Sequence, residues 1–181
     1  MIPLRSEGLL TPYLDIPFQH ASPKILQAMK RPANEAKVLE RLAQWRSICP
    51  DITIRSSFVV GFPGETNEQF EDTMSLIRDV RYDNVYAFKY SPRPFTKAAR
   101  FEDQVPEEEK DRRLQALLAL QREVSFDLAR DYDGGTYDVL IDAKTEAPGQ
   151  LQGRTTHNKL VFLLGPETLV GQTVPVKILK A

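Results

Sequence analysis

The sequence predicts an α/β portion, an incomplete parallel βα barrel, followed by a small all-β portion curled into an OB-like antiparallel β-barrel. Short β-branched or aromatic runs alternate with segments of helical period as far as Gly134-Gly135, the pattern of βα units around a parallel sheet. Beyond that point short alternating runs are punctuated by Pro148-Gly149, Gly165-Pro166 and Gly171, the pattern of antiparallel strands and turns. A single long helical segment joins the two. The expected division is residues 1–133 for the partial barrel with its connector helix and 134–181 for the β domain.

The first strand is expected over Tyr13-Leu14-Asp15-Ile16-Pro17-Phe18, followed by a short helix ending at Arg31. Asn34 is a candidate N-cap for the next helix, whose apolar face is Val38, Leu42, Trp45 and Cys49 and which Pro50 stops. A second strand, Ile52 to Val60, leads into the turn Gly61-Phe62-Pro63-Gly64. Thr66 and Gln69 then form a capping box for a helix with Phe70, Met74 and Ile77 inward. The third strand is placed at Val85 to Tyr90. Pro106, at the first helical position, and Glu107-Glu108-Glu109, on the positive end of the dipole, open the connector helix. Its stripe is Leu114, Leu117, Leu118, Val124 and Leu128. The β domain is expected to hold strands at Thr136 to Ala143, Gln150 to Thr155, Lys159 to Leu164 and Thr173 to Leu179. So short a segment buries an adequate core by closing, or nearly closing, into a barrel. Three βα units, in contrast, leave open sheet edges, so further strands are expected from an N-terminal portion or another chain.

At 181 residues, with 41% hydrophobic and 27% charged side chains, the composition is that of a globular domain or two small ones. No apolar run approaches the roughly 20 residues of a membrane span, and Met1 to Glu7 lacks a signal-peptide pattern, so the expected location is cytoplasmic. A formal net charge of −1 is not that of a strongly basic nucleic-acid binder, so any RNA contact must come from a local patch. Cys49 is the single cysteine. It excludes an internal disulfide and any all-cysteine metal site supplied by this chain alone.

The turn Gly61-Phe62-Pro63-Gly64-Glu65-Thr66 stands between a strand and a helix, where backbone amides can face a ligand. It is not a Walker A loop, because no Lys-Ser/Thr follows the second glycine. Leu14 to Ser22 and Tyr90-Ser91-Pro92-Arg93-Pro94 likewise fall at or just beyond strand C-termini, the face on which βα barrels build their sites. A hydrolytic triad of Asp15, His20 and Ser22 is disfavoured, since strand alternation sends neighbours to opposite faces and no nucleophile elbow is present. His157 reads as a loop residue, with no second histidine or cysteine at ligand spacing.

The strings Pro12 to Pro23, Met29-Lys30-Arg31-Pro32 and Ile54 to Thr66 resemble the radical S-adenosylmethionine methylthiotransferases. They are most similar to the RimO branch, which modifies an aspartate of a small-subunit ribosomal protein. From about Phe70 the likeness moves to the MiaB branch, which modifies an isopentenylated adenosine beside the tRNA anticodon. Tyr90 to Pro94 and Gly153 to Phe162, within what looks like a TRAM domain, carry that part. The resemblance implies a radical SAM barrel, S-adenosylmethionine, two [4Fe-4S] clusters, and methylthio insertion through a 5'-deoxyadenosyl radical. The family's CxxxCxxC motif would precede Met1, so the resemblance leaves no catalytic or metal-ligating residue in this chain and implies that it is inactive alone. It assigns Gln19, Ser22, Arg31, Arg55, Ser57 and Gly61 to the cofactor, with Arg31 as carboxylate clamp. Ser57 stands where the tRNA branch has an aspartate, and Phe95 where that branch has glycine. Arg93, Arg154, Asn158 and Lys159 are the candidate RNA contacts, with Phe162 or Tyr137 available to stack. The implied partner is a tRNA anticodon stem-loop, the alternatives being the ribosomal protein and a non-catalytic RNA-binding module.

Overall fold

A computed structural model of the chain describes residues 1–32 and 35–181. The helix N-cap expected at Asn34 lies outside the described residues. The chain divides into two compact units. One comprises residues 14–47 and 54–125, and the other residues 1–13, 48–53 and 126–181.

The first unit is built on a parallel sheet of β1 (Tyr13–Asp15), β2 (Thr53–Val60) and β3 (Asn84–Lys89), ordered β1-β2-β3. β1 is shorter than the sequence predicts. Pro17 has no N–H to donate, so regular pairing stops and resumes only as a bridge between Gln19 and Phe58. A short helix α1 (Ile2–Ser6) precedes β1, and α2 (Pro23–Ala28) follows it. The latter closes before Arg31: Lys30 turns left-handed at φ 57°, its N–H reaches Gln27 O at 2.9 Å and the Arg31 N–H reaches Leu26 O at 2.8 Å. That is a Schellman closure, built here on lysine in place of glycine. α3 (Glu35–Ile48) buries Leu42, and Trp45 is half-buried.

The capping box forms as expected, with Thr66 and Gln69 each bonding the other's backbone N–H at the start of α4 (Asn67–Val80), and Phe70, Met74 and Ile77 are buried. α5 (Glu107–Arg130) follows the Pro-rich loop. Leu117 and Val124 are buried on it, but so are Lys110, Arg113 and Gln121, side chains whose charge and polarity read as solvated. Gln121 donates to Tyr82 O at 2.8 Å. The Tyr82 ring meets Phe58 edge-on with centroids 5.6 Å apart, in a core shared with Ile54, Ile77 and Val80.

The second unit centres on an antiparallel sheet of β4 (Thr136–Lys144), β5 (Gln150–Thr155), β6 (Leu160–Leu164) and β7 (Thr173–Lys177), in the order β6-β5-β4-β7. Val139, Ile141, Leu151, Val161 and Ile178 form its core, and Tyr132, Tyr137, Leu163 and Leu169 pack against it. The β4–β5 register shifts between Ile141 and Ala143, a bulge of the kind that curls a small sheet. Gly153 sits beside it. A Cβ there would stand 2.5 Å from Leu140 O, so the close backbone approach requires glycine.

Candidate functional site

β2 presents Arg55, Ser57 and Val59 on its half-buried face, while Ile54, Ser56, Phe58 and Val60 are enclosed on the other. Tyr86 and Phe88, both exposed, are registered opposite Ser57 and Val59. At about 3.3 Å per residue Arg55 lies roughly 7 Å below Ser57, further from the C-terminal end of the sheet. Its guanidinium is engaged there. It donates through Nε and Nη2 to Asp15 Oδ2, and through Nη1 to Tyr86 Oη at 3.1 Å, and lies over the Tyr86 ring.

Gln19 is held at the sheet's upper end. Its N–H donates to Ser57 O and its carbonyl accepts from the Val59 N–H, both at 2.8 Å. Its φ of 72° is left-handed, a region non-glycine residues enter rarely and mostly where surrounding structure imposes it. Gly61, at φ 72°, makes the turn out of β2, and the Lys110 stem packs so closely that any Cβ would collide with it. Arg31 is exposed beyond the α2 closure and makes no ion pair among the described residues. Ser22 is buried as the residue before α2, and its N–H donates to His20 Nδ1 at 2.9 Å.

Beneath these residues lies a buried polar network that the sequence did not announce. His20 Nε2 is 2.9 Å from Glu65 Oε1. Glu65 Oε2 accepts from the Gly61 N–H and from Arg113 Nη1, the latter at 2.8 Å. Arg113 also donates to Glu65 O at 3.0 Å, to Asn67 Oδ1 at 2.9 Å and to Glu109 Oε1 at 2.7 Å. Because the Ser22 N–H occupies Nδ1 as acceptor, Nε2 is the donating nitrogen of His20. Glu109, paired with Arg112 and Arg113 although burial opposes its charge, has its carboxyl held down at about 2. Ser22 and His20 are thus joined, but neither meets Asp15, and the partner of His20 is Glu65.

A half-buried amide and hydroxyl at one strand end, and a guanidinium exposed beyond α2, are groups that suit the chemistry of S-adenosylmethionine, with its carboxylate and ribose hydroxyls. A cluster is another matter. Cys49 is fully buried and its Sγ donates to Asp51 Oδ1 at 3.3 Å. Burial, reinforced by the Asp51 charge, pushes its thiol up. The described residues contain no group of three or more side chains able to hold a metal ion. With Cys49 the one thiol in the sequence, the described residues do not fit an iron–sulfur cluster, which needs several thiolates.

On the antiparallel sheet, Leu160, Phe162 and Leu164 alternate outward from β6, and β5 sets Arg154 opposite Leu160 and Gln152 opposite Phe162. Leu140 continues that face on β4, opposite Arg154. Phe162 is 55% exposed, so its ring is free to stack. Tyr137 instead packs inward, its ring 4.9 Å from that of Tyr132. Arg154 is 3.3 Å from Asn158 Oδ1 and 3.6 Å from Asp142 Oδ2. Lys159 lies over the Tyr132 ring, and Arg93 is exposed in the loop after β3, near Phe95, which is 97% exposed. His157 Nε2 meets Asp51 Oδ2 at 3.2 Å and its ring stands edge-on to Tyr132.

Comparison with known proteins finds two family matches and a set of related chains. Residues 4–77 match the Radical SAM superfamily and residues 130–181 match the TRAM domain. The tRNA-2-methylthio-N(6)-dimethylallyladenosine synthase of Bdellovibrio bacteriovorus is 44% identical over 93% of this chain and 37% of its own length. The ribosomal protein uS12 methylthiotransferase RimO of Marinobacter nauticus is 45% identical over 100% of this chain and 40% of its own. The RimO of Sphingopyxis alaskensis is 52% identical over 81% and 32%. The chain thus spans well under half the length of these relatives. Among solved structures, coproporphyrinogen III oxidase (HemN) from Escherichia coli, a radical SAM enzyme, superposes with a TM-score of 0.55 over 84% of this chain and 42% of that one. At 16% identity that likeness concerns the fold.

Proposed function

From the chain's membership of the radical S-adenosylmethionine methylthiotransferase family, we propose that it forms the C-terminal part of a tRNA methylthiotransferase. Residues 1–133 contribute a wall of the cofactor barrel and residues 134–181 engage the RNA. The family uses S-adenosylmethionine with iron–sulfur clusters, and in this reading the ligands of two clusters lie outside these 181 residues. The chain alone is accordingly inactive, and the methylthio-transfer step is assigned to none of its side chains. Its own part is to bind and orient. The Gln19 amide and Ser57 hydroxyl meet polar groups of S-adenosylmethionine, Arg31 pairs with its carboxylate, and Gly61 lets the turn pass close to Lys110. Ser22 acts through its backbone, and Arg55 braces the lower strands against Asp15 and Tyr86. No helix among the described residues is long and apolar enough to cross a membrane, and we place the enzyme in the cytoplasm.

The outer face of the antiparallel sheet carries the choice of RNA. It pairs an exposed aromatic ring, Phe162, with Arg154 and Gln152 on the neighbouring strand, the combination by which sheets stack a base and hold a phosphate. Arg93 lies on the active-face loop. The chain should bind a tRNA anticodon stem-loop with an affinity that falls as salt rises. Arg154→Ala with Lys159→Ala should lower the salt slope by about two phosphate contacts, read by fluorescence anisotropy. A second reading is favoured by the identity of 45% and 52% to two RimO proteins: modification of a small-subunit ribosomal protein. Tight binding to that protein, with no tRNA affinity at low salt, would promote it.

A further inference from the structure

The Glu65 carboxylate stands between the two segments that carry the proposed cofactor contacts. One oxygen faces His20, the residue after Gln19, and the other accepts from the N–H of Gly61, at the end of β2. The side chains of His20 and Glu65 are both 0% exposed. On its other nitrogen His20 accepts from the Ser22 N–H, so rotating the ring breaks both of its bonds. Arg113 locks the carboxylate from α5.

Stability alone is a poor reason for such a cluster. Taking a carboxylate and a guanidinium out of water costs about as much as their attraction returns, and apolar side chains of similar volume serve as well or better. What hydrogen bonds between enclosed groups add is direction and fixed spacing. The neighbouring backbone needs that. Gln19 adopts a left-handed conformation without being glycine, and its own two backbone hydrogen bonds to β2 hold only one side of it. The His20–Glu65 pair holds the other side, and ties it to the same turn that Gly61 makes.

We propose that Glu65 is a positioning residue for S-adenosylmethionine. Acting through His20 and the Gly61 N–H, it sets the orientation of Gln19 and the spacing between the first strand's end and the turn after β2. This inference rests on the cofactor reading of Gln19 above. Enclosed as it is, the carboxylate makes no contact with the cofactor itself.

The test measures S-adenosylmethionine affinity by calorimetry in the complete, cluster-bearing enzyme, well below each variant's melting midpoint. Glu65→Gln and His20→Gln should each weaken binding by about tenfold or more, and the double variant should be no weaker than the poorer single one. Deuterium exchange at the Gly61 amide should accelerate in Glu65→Gln. Gln121→Ala, which loses a bond to Tyr82 elsewhere in the unit, should lower the melting midpoint and leave affinity unchanged. Where Glu65→Gln does not fold, His20→Gln carries the same comparison. Unchanged affinity in either folded variant, or an equal loss in Gln121→Ala, would overturn the positioning role and leave the cofactor reading standing. Failure of the unsubstituted enzyme to bind S-adenosylmethionine would overturn both.

Discussion

At the upper end of the parallel sheet charge is buried, whereas the antiparallel sheet is built around an apolar core. His20, Glu65 and Arg113 are enclosed in the first, and Val139, Ile141, Leu151, Val161 and Ile178 fill the second. The materials suit different tasks. Hydrogen-bonded charges fix the direction of a few peptide groups, at a desolvation cost that returns little net stability. Apolar contacts tolerate repacking and leave an outer face free to vary. In the first region the candidate site hangs from the core, and in the second it lies on the reverse of the core.

Three experiments sharpen or break that contrast. Glu65→Ala should have the largest effect, a loss of about 3–5 kcal/mol, because it breaks one of the two ion pairs that the buried Arg113 guanidinium makes among the described residues and leaves His20 Nε2–H and the Gly61 N–H buried without their acceptor. A shift in the urea midpoint would measure it, and a loss below about 1 kcal/mol would mean that water replaces the carboxylate and that the region is not a closed polar core. Ile141→Ala should cost somewhat less, about 3 kcal/mol, as a large-to-small change in a dry core. Arg154→Ala-dependent RNA binding should survive it while the domain stays folded. The smallest effect concerns acid. Glu109 has a folded value, about 2, below its ordinary one of 4.5, so its pairing stabilises fully above about pH 4.5 and is lost as pH falls toward 2. Glu109→Gln should remove that part of the acid sensitivity, and an acid-unfolding curve that does not change would assign it elsewhere.

Local signals in the sequence were sufficient for most elements. The Thr66–Gln69 box and the inward Phe70, Met74 and Ile77 are set within one or two turns of helix, and the strand–turn punctuation after Gly134-Gly135 needs no distant information. The polar network was illegible for the opposite reason. Its members are separated by 45 and 48 residues, and a charged residue on a helix reads as solvated unless its partner is known. Spacing did hold a signal: Lys110, Arg113, Leu117, Gln121 and Val124 recur every three or four residues, a helical stripe with polar members. Motif resemblance gave Gln19 its place at the strand end, but not its left-handed backbone, since glutamine has no special preference for it.

Cys49 adds a practical consequence. It is the only thiol in the sequence, and it is shut away at the C-terminal end of α3 with its sulfur hydrogen-bonded to Asp51. A thiol reagent in solution must wait for that end of the helix to open before it can react. The pace of labelling therefore serves as a clock for opening at one known place, without a cysteine being added or removed. Denaturant dependence of the same rate separates a local fraying of the helix end from unfolding of the whole chain, which exposes far more surface.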